Sequence, residues 1–123
     1  MVGKSIPILI FITLLLIMES YAQNNTKKNT VMKRYLVERS FPKGLDIPMN
    51  DKGCRIVQVV VSNNTDCKVT WIQSYVSTDK KKTFCIYEAP SPEAIRKAAK
   101  KNNTPVDKIT EINVLNPYFF INK

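Results

Sequence analysis

The stretch VTWIQSYVSTDKKKTFCIYEAPSP, residues 69–92, is typical of a β-hairpin that leads into a helix. Alternating side chains predict strands over Val69–Ser77 and Lys82–Ala89, and the residues between them, Thr78–Lys81, predict a turn. Strict alternation on the first strand divides its side chains between two faces. One face would carry Val69, Trp71, Gln73 and Tyr75, and the other Thr70, Ile72, Ser74 and Val76.

The short turn also predicts the register of this hairpin. Tyr75 lies opposite Phe84, which makes an aromatic cross-strand pair, and Gln73 lies opposite Ile86. Cys85 points to the other face of the sheet. Both faces are fairly apolar, so we expect helices to cover one of them and another subunit to cover the other.

Two helices are expected, one before the hairpin and one after it. Ser91 is a good N-cap and Pro92 suits the first helical position, so the second helix begins here. Asp51–Asn64 is ambiguous, because its β-branched run would suit a strand, but a strand of that length would be unusually long. We therefore predict a helix, with a buried face formed by Cys54, Val57, Val60 and Val61.

Two further strands, Lys33–Phe41 at the start of the domain and Ile109–Val114 near its end, complete a β-α-β-β-α-β order. This order predicts an α+β, ferredoxin-like sandwich, in which a four-stranded antiparallel sheet carries both helices on one face. We assign residues 32–121 to this domain. Its apolar tail, Tyr118–Ile121, needs a surface to dock on.

Residues 1–22 are typical of a secretory signal peptide. An apolar run, Ile6–Met18, is followed by small residues at Ser20 and Ala22, which fit a cleavage site before Gln23. The run is shorter than the roughly 20 residues of a membrane span, and an uncleaved N-terminal anchor is the alternative. We expect a secreted or periplasmic protein without a membrane span in the mature chain, and a disordered lead-in over residues 23–31.

The chain carries a net charge of +9. Removal of residues 1–22 leaves this charge unchanged, because they contain one cation, Lys4, and one carboxylate, Glu19. The cations are scattered rather than interleaved with aromatic residues, so we expect no nucleic-acid partner. The charge suits a soluble, self-repelling surface or, as an alternative, a basic structural or interaction module.

Histidine is absent from the chain, which removes the most common general base and the most common ligand for borderline metals. The chain has three cysteines, an odd number. Cys54 and Cys67 lie at opposite ends of a predicted helix, and Cys67 and Cys85 lie far apart in the hairpin, so only Cys54–Cys85 could form a bridge. Unpaired, buried thiols are the simpler expectation.

Three segments resemble a known family: MKRYLVERSFPKGLDIPM (32–49), residues 69–102, and PVDKITEINVLNPYFF (105–120). They are similar to small ferredoxin-like domains of unknown function related to bacterial nickel-binding proteins. The resemblance implies a homodimer whose two sheets form an α/β barrel, with nickel or another divalent metal as the cofactor. Members commonly carry a histidine in a Trp-x-His-Ser-Tyr pattern, where this chain has Gln73.

This resemblance implies a non-enzymatic binding protein with its site on the sheet. The ligand-binding candidates are Glu38, Trp71, Gln73, Tyr75 and Glu88. Because an amide is a poor nickel ligand, a metal would have to use Cys85, Glu38 and Glu88, although alternation within the hairpin puts Cys85 on the opposite face from Glu88. The alternative is a small dimeric α/β-barrel enzyme with a carboxylate as its base, which requires a raised carboxyl pKa.

Overall fold

The computed structural model describes residues 29–121. The predicted signal peptide and most of the predicted lead-in lie outside these residues. The chain from Val31 onward forms one compact unit. Its elements are β1 (Lys33–Ser40), α1 (Asp51–Asp66), β2 (Thr70–Val76), β3 (Lys82–Ala89), α2 (Pro92–Lys101), β4 (Lys108–Glu111) and a final helical turn, α3 (Tyr118–Ile121).

The four strands form one antiparallel sheet in the order β2-β3-β1-β4. Helix α1 contacts β2, helix α2 contacts β3, and the two helices contact each other. The predicted ferredoxin-like α+β fold is therefore confirmed. The predicted hairpin register is confirmed as well, because Tyr75 pairs with Phe84 and Gln73 pairs with Ile86.

Strand β2 contains a bulge that reverses its alternation. Trp71 pairs with Tyr87 and Gln73 pairs with Ile86, which are adjacent on β3, so Ile72 is an extra residue without a partner in the ladder. Trp71 consequently lies on the helix-facing side of the sheet, whereas Gln73 lies on the other side. The prediction that Trp71 shares a face with Gln73 is wrong, because an inserted residue shifts every later side chain to the opposite face.

Helix α1 confirms the helical reading of Asp51–Asn64. Asn50 adopts an extended backbone conformation, and its side-chain Oδ1 accepts a hydrogen bond of 3.1 Å from the backbone N–H of Gly53. This N-cap satisfies one of the donors that every helix leaves free in its first turn. The segment is therefore helical despite its β-branched side chains, with a cap at its start and with β2 and the second long helix packed against it.

The buried face of α1 is rotated from the predicted one. Gly53 and Asn64 are buried and Val57 is half-buried, whereas Cys54 and Val61 are exposed, so the prediction is wrong for these last two residues. Glycine permits this rotation because a Cβ atom at position 53 would lie 1.7 Å from the carbonyl oxygen of Pro48. The loop before the helix thus packs directly against its first turn.

Helix α2 begins as predicted, with the Oγ of Ser91 accepting a 3.2 Å hydrogen bond from the backbone N–H of Ala94. Its buried face contributes Ile95 and Ala98 to the core. The rest of the core comes from the helix-facing sides of β1 and β3 and from the loop before β2: Tyr35, Val37, Cys67, Val69, Cys85, Tyr87 and Ala89.

Strand β4 is shorter than predicted and ends at Glu111 rather than Val114. The backbone N–H of Ile112 still donates to the carbonyl of Arg34, but β1 begins at Lys33, so the following residues have no strand to pair with. The tail side chains Val114, Leu115, Tyr118, Phe119, Phe120 and Ile121 are all exposed.

All three cysteines are free thiols, and no bridge joins Cys54 to Cys85. Cys54 is exposed on α1, while Cys85 and Cys67 are buried. The expectation of unpaired, buried thiols is therefore wrong for Cys54, because α1 turns this residue toward solvent. Over residues 29–121, no helix combines the length and the apolar character that crossing a bilayer requires.

Candidate functional site

The side of the sheet that faces away from the helices carries four of the five predicted ligand-binding residues. We call this surface the open face. Its side chains are half-buried or exposed, and none is buried. Following the strand pairing, it comprises Arg34, Leu36, Glu38, Thr70, Gln73, Tyr75, Phe84, Ile86, Glu88, Lys108 and Thr110.

Cross-strand pairing arranges the open face in rows. The central row pairs two apolar residues, Ile86 and Leu36, and ends in Gln73 on one side and Thr110 on the other. The next row runs through Tyr75, Phe84, Glu38 and Lys108. Ile72 at the bulge is 44% exposed and Tyr75 is 59% exposed. Both of these side chains lie on the edge strand β2, while the apolar side chains on the two central strands, Leu36, Phe84 and Ile86, are half-buried.

Glu88 is already paired with a cation. Its Oε1 lies 2.6 Å from Nη2 of Arg34, directly across β1 and β3. More than a third of each side chain is exposed, so the pair contributes little to stability. The ion pair nevertheless occupies the carboxylate of Glu88, which would otherwise be available to bind a metal ion or to accept a proton from a substrate.

The predicted metal ligands do not converge. Cys85 is buried on the helix-facing side, where its Sγ lies 3.5 Å from Oγ1 of Thr83, whereas Glu38 and Glu88 belong to the open face. Among residues 29–121, no group of three His, Cys, Asp or Glu side chains is placed to hold a metal ion. With Gln73 as a neutral amide, these donors do not fit nickel, which prefers imidazole and thiolate ligands.

Nothing on the open face encloses a carboxylate. Glu38 and Glu88 are half-buried on a broad surface, and Glu38 lies between Phe84 and Lys108 in its row. A carboxylate that acts as a general base usually works in a closed site that excludes water and converges on the substrate. Neither Glu38 nor Glu88 therefore lies in enclosed surroundings of this kind.

The helix-facing side of the sheet carries polar residues that sequence reasoning missed as a site. Arg39 is only 6% exposed, and its guanidinium carbon lies 5.7 Å from the centre of the Tyr87 ring. Trp71 lies on this side too, with its Nε1 donating to Oγ of Ser74 over 2.8 Å. The sequence contained one signal of this cluster, because Arg39 alternates with Tyr35 and Val37 on what proves to be the buried face of β1.

Comparison with known proteins finds a family and solved structures to which this chain is similar. A family described as "Nickel responsive protein SCO4226-like" matches residues 35–112. The crystal structure of SCO4226 from Streptomyces coelicolor A3(2) superposes with a TM-score of 0.53 at 18% identity, covering 68% of this chain and 99% of that one. At this identity the likeness shows the fold alone.

A second solved structure is a protein of unknown function, RPA0582 from Rhodopseudomonas palustris. It is 14% identical, and the match covers 80% of this chain and 94% of the other chain. The TM-score is 0.34, below the value that indicates a shared fold. No curated protein matches the chain.

Proposed function

This chain belongs to the SCO4226-like family of nickel responsive proteins, and on that premise we propose that it is an exported, non-enzymatic binding protein that acts as a homodimer. Family membership relates the protein to nickel at the level of the family. The observation that carries the proposal is the open face, which is apolar in its middle, encloses no carboxylate and brings together no metal ligands within residues 29–121.

The open face supports the dimer. Leu36, Phe84 and Ile86 lie next to one another on the two central strands, and each is only half-buried. A sheet that packs on a second sheet buries such a face, and the burial stabilises by about 25 cal/mol for each Å² of apolar surface removed from water. Two sheets paired in this way would close the α/β barrel that we expect for the family fold.

Nickel would not be held on this face in the way the resemblance implies. The position expected to carry histidine is Gln73, and the chain contains no histidine that could replace it. Glu88 is paired with Arg34, and Cys85 lies on the other side of the sheet. We therefore propose that this member serves its family role without a nickel site of its own on the sheet.

Export rests on the first 22 residues, which have the charge, the apolar run and the small-residue pattern of a signal peptide. N-terminal sequencing of the protein recovered from its native cells tests this part of the proposal. The expected first residue is Gln23, and a chain that begins at Met1 would refute cleavage.

The dimer is tested by sedimentation equilibrium on protein purified without a histidine tag. We expect a dimer for the natural chain and a monomer for Ile86→Arg, because the substitution places a charge in the middle of the paired faces. Val59→Arg is the matched control, since Val59 is exposed on α1, and this variant should remain dimeric. A natural chain that sediments as a monomer contradicts the proposed dimer.

Calorimetry with nickel on the same tag-free protein tests the metal part. The natural chain should give no binding heat. Gln73→His supplies an imidazole, a preferred nickel ligand, but no other donors converge on it within residues 29–121. This variant should therefore bind nickel no more tightly than Gln58→His, which carries the same side chain at an exposed position of α1. Stoichiometric nickel binding by the natural chain would overturn this part of the proposal.

A further inference from the structure

A cavity of about 500 Å³ lies on the helix-facing side of the sheet, opposite the open face. This volume falls within the roughly 300–1,000 Å³ that is usual for small-molecule sites. Its walls come from the end of β1, the loop between β1 and α1, helix α1, strands β2 and β3, and the segment after α2. The apolar part of the lining includes Leu45, Ile47, Val57, Val60 and Trp71.

The cavity has an exposed mouth and a buried polar wall. Met49, Val76 and Lys80 line it and are exposed, so solvent reaches it on their side. Arg39 and Tyr87 also line it and are buried. A ligand that enters past Met49 would therefore meet apolar side chains first and a cationic group within.

Arg39 lacks an acidic partner. Its Nη1 donates to Oγ1 of Thr104 over 3.2 Å and to the carbonyl of Pro105, and its Nη2 donates to the Tyr87 hydroxyl over 3.4 Å. All of these acceptors are neutral. None of the ion pairs formed within residues 29–121 includes Arg39. A buried arginine is ordinarily paired, because an isolated charge is costly to remove from water.

The neighbouring groups do not supply the missing negative charge. Burial raises the pKa of the Tyr87 phenol above its usual value of 10.0, with the charge of Arg39 as an opposing influence, so the hydroxyl stays neutral at physiological pH. Glu38 belongs to the open face, and the carboxylate of Asp107 accepts a hydrogen bond from Ser40. The positive charge at the buried wall of the cavity is thus uncompensated by the protein groups described.

We propose that this cavity binds an amphipathic monoanion, a molecule with one carboxylate and an apolar body, with the carboxylate on Arg39 and the body against Val57, Val60 and Trp71. Charge complementarity favours this occupant over a neutral apolar one, because guanidinium and carboxylate match in geometry and charge. The inference rests on the binding role proposed above and names its ligand class. It uses the side of the sheet that dimer formation leaves uncovered.

The natural protein is titrated with decanoate, 1-decanol and decylamine at concentrations at which each is monomeric. Trp71 lines the cavity and is the only tryptophan in the chain, so its fluorescence reports occupation directly. We expect saturable decanoate binding at one site per chain. Decanol should bind about tenfold more weakly or worse, because it lacks the charge-assisted hydrogen bonds to Arg39, and decylamine should not bind.

Two variants of α1 separate the cavity from the rest of the surface. Val57→Phe adds a ring inside the cavity and should abolish decanoate binding. Val59→Phe makes the same change two residues later, about 200° around the helix at an exposed position, and should leave the affinity unchanged. Arg39→Met should reduce decanoate affinity to that of decanol while decanol binding is kept.

Three results would overturn the inference: no fluorescence change with decanoate, equal affinities of the natural protein for decanoate and decanol, or decanoate binding that persists in Val57→Phe. If Arg39→Met does not fold, the affinities of the natural protein for decanoate, 1-decanol and decylamine still test whether the site prefers a carboxylate. The sedimentation and nickel experiments use the other side of the sheet, so failure there is distinguishable from failure here.

Discussion

Tyr87 is a titratable residue whose pKa is shifted by its burial on the helix-facing side of the sheet. Its phenol lies in the core, and burial raises its pKa, while the nearby charge of Arg39 acts in the opposite direction. A pKa raised in the folded state means that the unfolded chain releases this proton first. The contribution of Tyr87 is therefore fully present below pH 10 and is lost as the pH rises through the folded pKa.

This linkage predicts a pH-dependent difference between the natural chain and Tyr87→Phe. The free energy of unfolding of the natural chain should fall more steeply above about pH 10 than that of the variant, which has no phenol to titrate at this position. Urea unfolding of both proteins between pH 8 and pH 11 measures the two slopes. Parallel profiles would show that the phenol is not shielded from solvent as the structure indicates.

Asn102 joins the ends of the two long helices. Its Oδ1 accepts from Nδ2 of Asn63 over 2.8 Å, and its Nδ2 donates to Oδ1 of Asn64 over 2.9 Å. Asn64 is buried, and its own Nδ2 has no hydrogen-bond partner. Loss of the Asn102 amide would leave a second polar atom of Asn64 unsatisfied.

We expect Asn102→Ala to lower the free energy of unfolding by about 1–3 kcal/mol, because a buried acceptor loses its donor. Asn113→Ala is the control, since Asn113 is exposed beyond β4 and should change stability by less than about 0.5 kcal/mol. Urea unfolding at neutral pH measures both. Equal effects would mean that the amide contacts between the helices carry no net stability.

At the scale of elements, the position of α1 depends on the absence of a side chain at Gly53. The N-cap at Asn50 starts the helix, and the bare Cα at position 53 lets its first turn approach the backbone of Pro48. Alanine is normally better than glycine inside a helix by about 1 kcal/mol. Here the close approach reverses that preference, because a Cβ atom would overlap a carbonyl oxygen.

Gly53→Ala should therefore destabilise the protein by about 1–3 kcal/mol, in the range of overpacked cores, despite its better helix propensity. Ser62→Ala, at an exposed position of the same helix, serves as the control and should be neutral or slightly stabilising. Chemical denaturation followed by circular dichroism gives both values. A stabilised Gly53→Ala would show that the loop and helix can separate at little cost.

At the scale of the whole molecule, the C-terminal tail contributes apolar surface without contributing to the core. Phe119 and Phe120 are 72% and 69% exposed, and neither belongs to the core cluster. The apolar sequence of Tyr118–Ile121 predicts that the tail needs a surface to dock on. The tail is exposed because β4 ends at Glu111, close to where β1 begins, so β1 offers the tail no residues for pairing. No other element within residues 29–121 packs extensively against the tail.

Replacing both Phe119 and Phe120 by serine should change the free energy of unfolding by less than about 0.5 kcal/mol. Ile95→Ala in the core should lower it by about 2–5 kcal/mol and calibrates the assay. Differential scanning calorimetry at low protein concentration compares the variants. A loss above about 1 kcal/mol in the serine variant would show that the tail packs against the protein in solution.

Local chemistry in the chain was sufficient to predict the order of elements, the cap at Ser91, and the pairing of Tyr75 with Phe84. Each depends on side chains that are close in sequence, namely a cap with its first turn or two strands joined by a short turn. The absence of histidine likewise limits metal chemistry whatever the fold.

Three features needed the tertiary structure. The bulge at Ile72, which places Trp71 and Gln73 on opposite faces, follows from how β2 fits the strand beside it rather than from its own alternation. The close approach of α1 to the preceding loop, which leaves no room for a side chain at Gly53, brings Pro48 beside the first turn of the helix. Only the folded structure shows that the buried Arg39 lines a cavity and that it forms no ion pair within residues 29–121. Periodicity reports which side chains share a face, whereas packing between distant segments decides what that face encloses.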